Sequence, residues 1–91
     1  MINGNTGDFI DSLYYGTDLW FYFNGDKYLL QGWCKNDLYT IELTNISNLS
    51  IPVWHYSSLD RLECVDAFIQ GQFFAGKSFY QVEGQIEWVD S

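Results

Sequence analysis

The sequence predicts an α+β domain: a three-stranded antiparallel meander covered by one main helix, with shorter helices toward both ends. Three observations carry that expectation. Residues 18–43, DLWFYFNGDKYLLQGWCKNDLYTIEL, form three aromatic-rich runs broken twice by Asn, Gly and Asp pairs of the kind that close tight turns. Residues 58–70 repeat apolar side chains at helical spacing. Finally, 20% of the 91 residues are aromatic, enough bulk for one core without disulfides or metals, and no linker or internal repeat divides residues 1–91 into more than one domain.

The N-terminal helix is expected over residues 5–15, with Asn5 or Thr6 as N-cap, Asp8 and Asp11 in the early turns and Gly16 ending it. Phe9, Ile10, Leu13 and Tyr14 share its apolar face. In the meander, a loop at Gly25-Asp26 pairs Phe23 with Tyr28 and Phe21 with Leu30. A loop at Asn36-Asp37 pairs Cys34 with Tyr39, Gly32 with Ile41 and Leu30 with Leu43. One face then carries Leu19, Phe21, Phe23, Tyr28, Leu30, Cys34, Tyr39, Ile41 and Leu43 and is expected to be core. Gly32 on that face leaves space for a helix to approach closely. The other face carries Trp20, Tyr22, Leu29, Gln31, Trp33, Thr40 and Glu42.

Residues 49–56 alternate as a fourth strand, which Pro52 confines to an edge or makes irregular, because proline cannot donate to a ladder. Ser57 or Ser58 caps the main helix, about residues 58–70, with Asp60 completing a capping-box-like start, and Gly71 ends it. Leu59, Leu62, Val65, Phe68 and Ile69 form its apolar stripe, while Phe73 and Phe74 turn inward after it. Residues 78–90 admit two readings. Phe79, Val82, Ile86 and Val89 fit a helix capped by Ser78 and Gln81, whereas Gln85 to Val89 also suits a strand; the helix is preferred although Gly84 weakens it.

Charge narrows the functional classes. Twelve acidic residues against four basic ones give a formal charge of −8, which repels nucleic acid and anionic membranes and favours a protein partner with a neutral or basic surface. The start has neither a basic region nor an apolar run, and no stretch approaches the ~18 apolar residues of a membrane span, so a cytoplasmic location is expected. Cys34 and Cys64 lack CxxC or metal spacing and read as two buried free thiols.

Motifs for catalysis are weak. His55 is the only histidine, and a Ser or Cys nucleophile with His55 as base, using Cys34 or Cys64, lacks any nucleophile elbow or oxyanion-forming glycine run. One histidine and carboxylates without EF-hand spacing argue against a metal. GQFFAGKS, from Gly71 to Ser78, satisfies the bare P-loop pattern, yet follows a helix instead of a strand and carries bulky Phe73-Phe74 where phosphates must be wrapped. Asn45-Ile46-Ser47 and Asn48-Leu49-Ser50 match the glycosylation pattern without an export signal. No catalytic residue, cofactor or metal is therefore expected, and the chain is read as not an enzyme.

Two surfaces are candidates for a partner. If residues 78–90 are helical, Glu83, Glu87 and Asp90 line one face, and the main helix adds Asp60, Glu63 and Asp66. Like charges at that spacing cost a few tenths of a kcal/mol per pair, so such a stripe either imitates a nucleic-acid backbone against a basic groove or simply keeps the domain soluble. The second surface is Trp20, Tyr22 and Trp33, whose rings suit a protein interface. A terminal helix could cover it, or it stays open for a partner or a second copy.

The stretches NGDKYLLQGW, ECVDAFIQ and GKSFYQVEGQIEWVD resemble a group of small acidic uncharacterised proteins of Gram-positive bacteria and their phages. The resemblance implies a compact intracellular domain and transfers no site residues. By analogy with short acidic phage proteins, it points to an inhibitor that sets an acidic surface against a basic site of a host protein. The expected function is a non-enzymatic protein-binding domain of that kind; the alternatives are a self-associating structural domain using the aromatic face, and a small enzyme centred on His55.

Overall fold

Asparagine-led turns set the register of the sheet. In the computed structural model, which describes residues 1–48 and 50–90, Asn24 and Gly25 both have positive φ (55° and 85°), as do Asn36 and Asp37 (53° and 66°). Both turns are therefore of the type that matches the right-handed twist of paired strands. Strand β1 (Leu19–Phe23) pairs with β2 (Asp26–Lys35), and β2 with β3 (Leu38–Asn45). The second turn gives the expected pairs, Cys34 with Tyr39, Gly32 with Ile41 and Leu30 with Leu43. The first differs: the loop is Asn24-Gly25, so Phe21 faces Tyr28 and Leu19 faces Leu30. Asn-Gly is a preferred pair for a turn with positive φ at both central positions, and the shift by two residues leaves every side chain on its expected face.

Strand β4 (Ile51–Ser58) adds to β3, and β5 (Glu87–Val89) to β1, giving the antiparallel order β4-β3-β2-β1-β5. The fourth strand is at an edge, as Pro52 requires, and its register slips between Leu43 and Thr44, leaving Val53 as the extra residue of a bulge. Leu49, where this strand was expected to begin, lies outside the described residues. At the other edge Ile2 bridges Glu87 in parallel, its N–H donating to the Ile86 carbonyl and its carbonyl accepting from Trp88 N–H, both at 2.9 Å.

The helices begin and end on local chemistry. Helix α1 (Thr6–Tyr15) is capped by Asn5, whose side-chain oxygen accepts from Asp8 N–H at 3.2 Å, and ends at Gly16 with φ 77°. Helix α2 (Arg61–Gln70) starts three residues later than expected. Strand β4 claims Ser57 and Ser58, so the cap is Asp60, which accepts from Leu62 N–H at 3.0 Å. The buried stripe is Cys64, Val65 and Phe68, while Leu59 and Leu62 are 75% and 54% exposed. After α2, Phe74 and Lys77 exchange backbone hydrogen bonds around a turn at Ala75-Gly76.

The preferred helix over 78–90 is overturned. Ser78 and Gln81 do form the capping box, but helix α3 spans only Phe79–Val82, passes into a 3-10 turn at Glu83–Gln85 and gives way to β5. Gly84 interrupts the helix, and pairing with β1 satisfies the backbone beyond it.

The core lies on one side of the sheet. Leu19, Phe21, Phe23, Leu30, Ile41 and Leu43 are buried there against Phe9 and Leu13 of α1, Val65 and Phe68 of α2, and Phe74, Phe79, Val82 and Ile86. Phe9 ties α1 into it, with ring centroids 5.9 Å from Phe21, 5.5 Å from Phe79 and 5.4 Å from Trp88. Tyr28 and Tyr39 are half-buried at its margin, but Cys34 is exposed, because α1 and α2 stop short of the end of the β2–β3 hairpin. Gly32 admits no helix: the only atom within 4 Å of a Cβ built there is the Thr40 carbonyl oxygen, at 3.2 Å.

Candidate binding surfaces

The first surface is the other face of the sheet. Alternation sends Trp20 and Tyr22 of β1, Leu29, Gln31 and Trp33 of β2, Thr40, Glu42 and Thr44 of β3, His55 of β4 and Val89 of β5 away from the core. The buried side chains of all three helices belong to the cluster on the opposite face, so this one is left open. Trp20 stands between Leu29 and Val89 as a half-buried apolar stripe across three strands. Beside it Glu42 accepts from Thr44 Oγ1 at 3.2 Å and from Gln31 Nε2 at 3.5 Å, and Thr40 and Ser57 share a hydroxyl hydrogen bond at 2.8 Å. These bonds fix a polar centre between aromatic ends.

Tyr22 and Trp33 are 38% and 46% exposed. Trp33 does not join Trp20 in one cluster, whereas Tyr22 is two residues from Trp20 on the same face of β1. Trp33 lies four residues along β2 from Leu29, the partner of Trp20, which places it roughly 13 Å away along the strand. Tyr22 is at the other end, opposite Lys27, whose ammonium sits 5.8 Å from the centre of its ring.

The acidic residues toward the C-terminus do not gather, whereas Asp60, Glu63 and Asp66 stay three apart along the start of α2. Glu83, Glu87 and Asp90 do not share a helix face, since the helix ends before them. Glu83 accepts from the Thr6 hydroxyl and from the Met1 ammonium at 3.1 Å; these bonds, the Thr6 one foremost, hold its carboxyl below the usual range. Glu87 accepts from Asn3 Nδ2 at 3.2 Å. Asp60 caps α2, Glu63 accepts from Tyr56 at 2.9 Å, and Asp66 is exposed on the outer side of the helix.

The nucleophile and base weighed from the sequence lie apart: His55 is opposite Glu42 on the open face, while Cys34 and Cys64 lie on the helix side. Among the described residues, no three His, Cys, Asp or Glu side chains gather as a metal-binding group, and no helix is long and apolar enough to cross a membrane.

The second surface was not anticipated. Where the β2–β3 hairpin outruns the helices, a cleft of about 110 Å³ opens between the end of α1, the start of α2 and the sheet. Leu13, Leu30, Ile41 and Val65 form its apolar walls, with Gly32, Cys34, Cys64 and Arg61 around them. The Cys64 thiol donates to the Tyr39 carbonyl at 3.5 Å, and burial, with Glu63 nearby, pushes its pKa up. Gly32, read from the sequence as room for a helix, lines this cleft instead. In comparison with known proteins the chain matches no family model, and no curated protein and no solved structure matches it.

Proposed function

We propose that this chain is a non-enzymatic protein-binding domain that docks a partner of neutral or basic surface on the open face of its sheet. The observation that carries this reading is a five-stranded sheet presenting Trp20, Tyr22, Leu29 and Trp33 on the side the helices leave bare. Rings with a polar handle are favoured where one end is apolar and the other wet. The size also fits. Ten-residue β2 is roughly 33 Å long and four inter-strand spacings add roughly 19 Å, a projected area of roughly 600 Å², near the ~800 Å² per partner of a stable interface.

Charge selects among occupants. Two copies placed face to face bring together −8 and −8, whereas a neutral or basic partner meets no such repulsion. Because the carboxylates are spread around the domain, they act by steering encounter more than by direct contact. An inhibitor of a basic site is one form of this reading.

The test compares wild type with Tyr22→Ser/Trp33→Ser in affinity capture from a bacterial lysate at low and high salt, beside sedimentation equilibrium of the purified chain. A partner retained by wild type, lost by the double variant and captured more slowly at high salt supports the reading. Equal capture by the variant overturns the docking face, and a wild-type dimer replaces it with self-association.

A further inference from the structure

The cleft on the helix side combines three features, one of them shared with the core. First, its depth is made by an absent side chain, Gly32, above which stands open space apart from the Thr40 carbonyl. Second, its walls are Leu13, Leu30, Ile41 and Val65, buried side chains of α1, the sheet and α2. Third, its rim holds Arg61, the one arginine of the chain.

Arg61 is held in place and is not neutralised. Its Nη1 donates to the Tyr14 carbonyl at 3.0 Å and its guanidinium carbon lies 5.2 Å over the Tyr39 ring. Among the described residues, the only ion pair joins Met1 and Glu83, so Arg61 has no carboxylate in a chain with twelve. Its acidic sequence neighbours are engaged elsewhere, Asp60 on Leu62 N–H and Glu63 on the Tyr56 hydroxyl. A guanidinium fork carries five donors, and its geometry matches a carboxylate.

We propose that this cleft binds a small carboxylic acid bearing one aromatic ring or one branched aliphatic chain, with the apolar part above Gly32 and the carboxylate on Arg61. The volume sets an upper size: an apolar cavity of roughly 150 Å³ takes benzene, so about 110 Å³ takes at most one ring or a branched chain, with its head at the open rim. The charge sets the head group. Repulsion from the net charge of −8 is screened beyond about 8 Å at physiological salt, so the nearby Arg61 dominates at the rim. A fragment of this size binds at about millimolar Kd. The cleft lies on the helix side of the sheet, but Gln31, Trp33 and Thr40, which the docking face also uses, are among the residues that line it.

The experiment is a titration of the isotope-labelled chain with phenylacetate and, separately, with the neutral phenylacetamide, followed by amide shifts. The expected result is saturable shifts at Gly16, Gly32, Cys34 and Cys64, with phenylacetate binding about tenfold or more tightly than the amide. Arg61→Gln is expected to remove that preference, and Arg61→Lys to restore part of it. Phenylacetate is also expected to slow alkylation of Cys34 by iodoacetamide. Equal binding of acid and amide to wild type overturns the role of Arg61, and this comparison stands even if Arg61→Gln fails to fold. Shifts confined to Trp20, Tyr22 and their neighbours, or no saturation by 20 mM, overturn the site.

Discussion

The Tyr56 hydroxyl donates to the Glu63 carboxylate at 2.9 Å, tying edge strand β4 to helix α2. A carboxylate expected to face a partner is thus engaged, at the surface, by the fold itself. The bond favours the protonated phenol, so Tyr56 titrates above its ordinary value, Glu63 being the main cause. A group whose pKa is raised on folding adds stability below its unfolded pKa and loses it as pH rises through the folded one. Absorbance titration at alkaline pH is expected to show Tyr56 ionising late. Glu63→Gln is expected to bring it back toward the ordinary range, leaving Tyr28 raised by its own burial.

Glu83 works in the opposite direction. Its folded pKa is lowered, chiefly by the Thr6 hydroxyl and then by the N-terminal ammonium. Its contribution is present above the ordinary carboxylate pKa and lost as pH falls through the lowered value. Melting temperature followed from neutral to acid pH is expected to fall more steeply for wild type than for Glu83→Gln. The difference between the two is expected to shrink toward the acid end. Parallel curves would show that these bonds add nothing to stability.

The two thiols are expected to separate by reactivity. Cys34 is exposed beyond the ends of the helices, whereas Cys64 is 2% exposed, donates to the Tyr39 carbonyl and has a raised pKa. Native protein treated with a disulfide reagent should release one equivalent quickly. The second should appear only on unfolding, slower by about 10³-fold or more for a domain of ordinary stability. Two fast equivalents would mean that α2 opens readily from β3 and β4.

The faces of the meander were legible in the sequence because side-chain alternation survives an error in turn placement. Moving the first loop from Gly25-Asp26 to Asn24-Gly25 changed every partner in β1 and β2 yet exchanged no residue between faces. The aromatic surface of Trp20, Tyr22 and Trp33 was read for that reason. The last segment was not, since its helical periodicity and its strand pattern overlap and only pairing with β1 decides between them. The cleft was out of reach for a different reason. It exists because β2 and β3 are longer than the helices that cover them, and no local pattern in Gly32 or Arg61 encodes that mismatch.

The start of α2 yields the sharpest test of packing. Counted from Ser58, the apolar positions Leu59, Leu62, Val65, Phe68 and Ile69 make one stripe, and all five would be core. In the structure Leu59 lies before the helix, Leu62 faces solvent and Cys64 enters the buried set. Truncating an exposed leucine removes little buried area, so Leu59→Ala and Leu62→Ala should each stay within about 0.5 kcal/mol of wild type in denaturant unfolding. Phe68 is fully buried, with its ring 5.9 Å from those of Phe73 and Phe79 and 6.1 Å from that of Trp54. Phe68→Ala should cost about 3–5 kcal/mol, a large part of the ~5–15 kcal/mol total for a domain. If Leu62→Ala cost as much, Leu62 would have to be buried, with α2 turned about its axis from the orientation that buries Cys64, Val65 and Phe68.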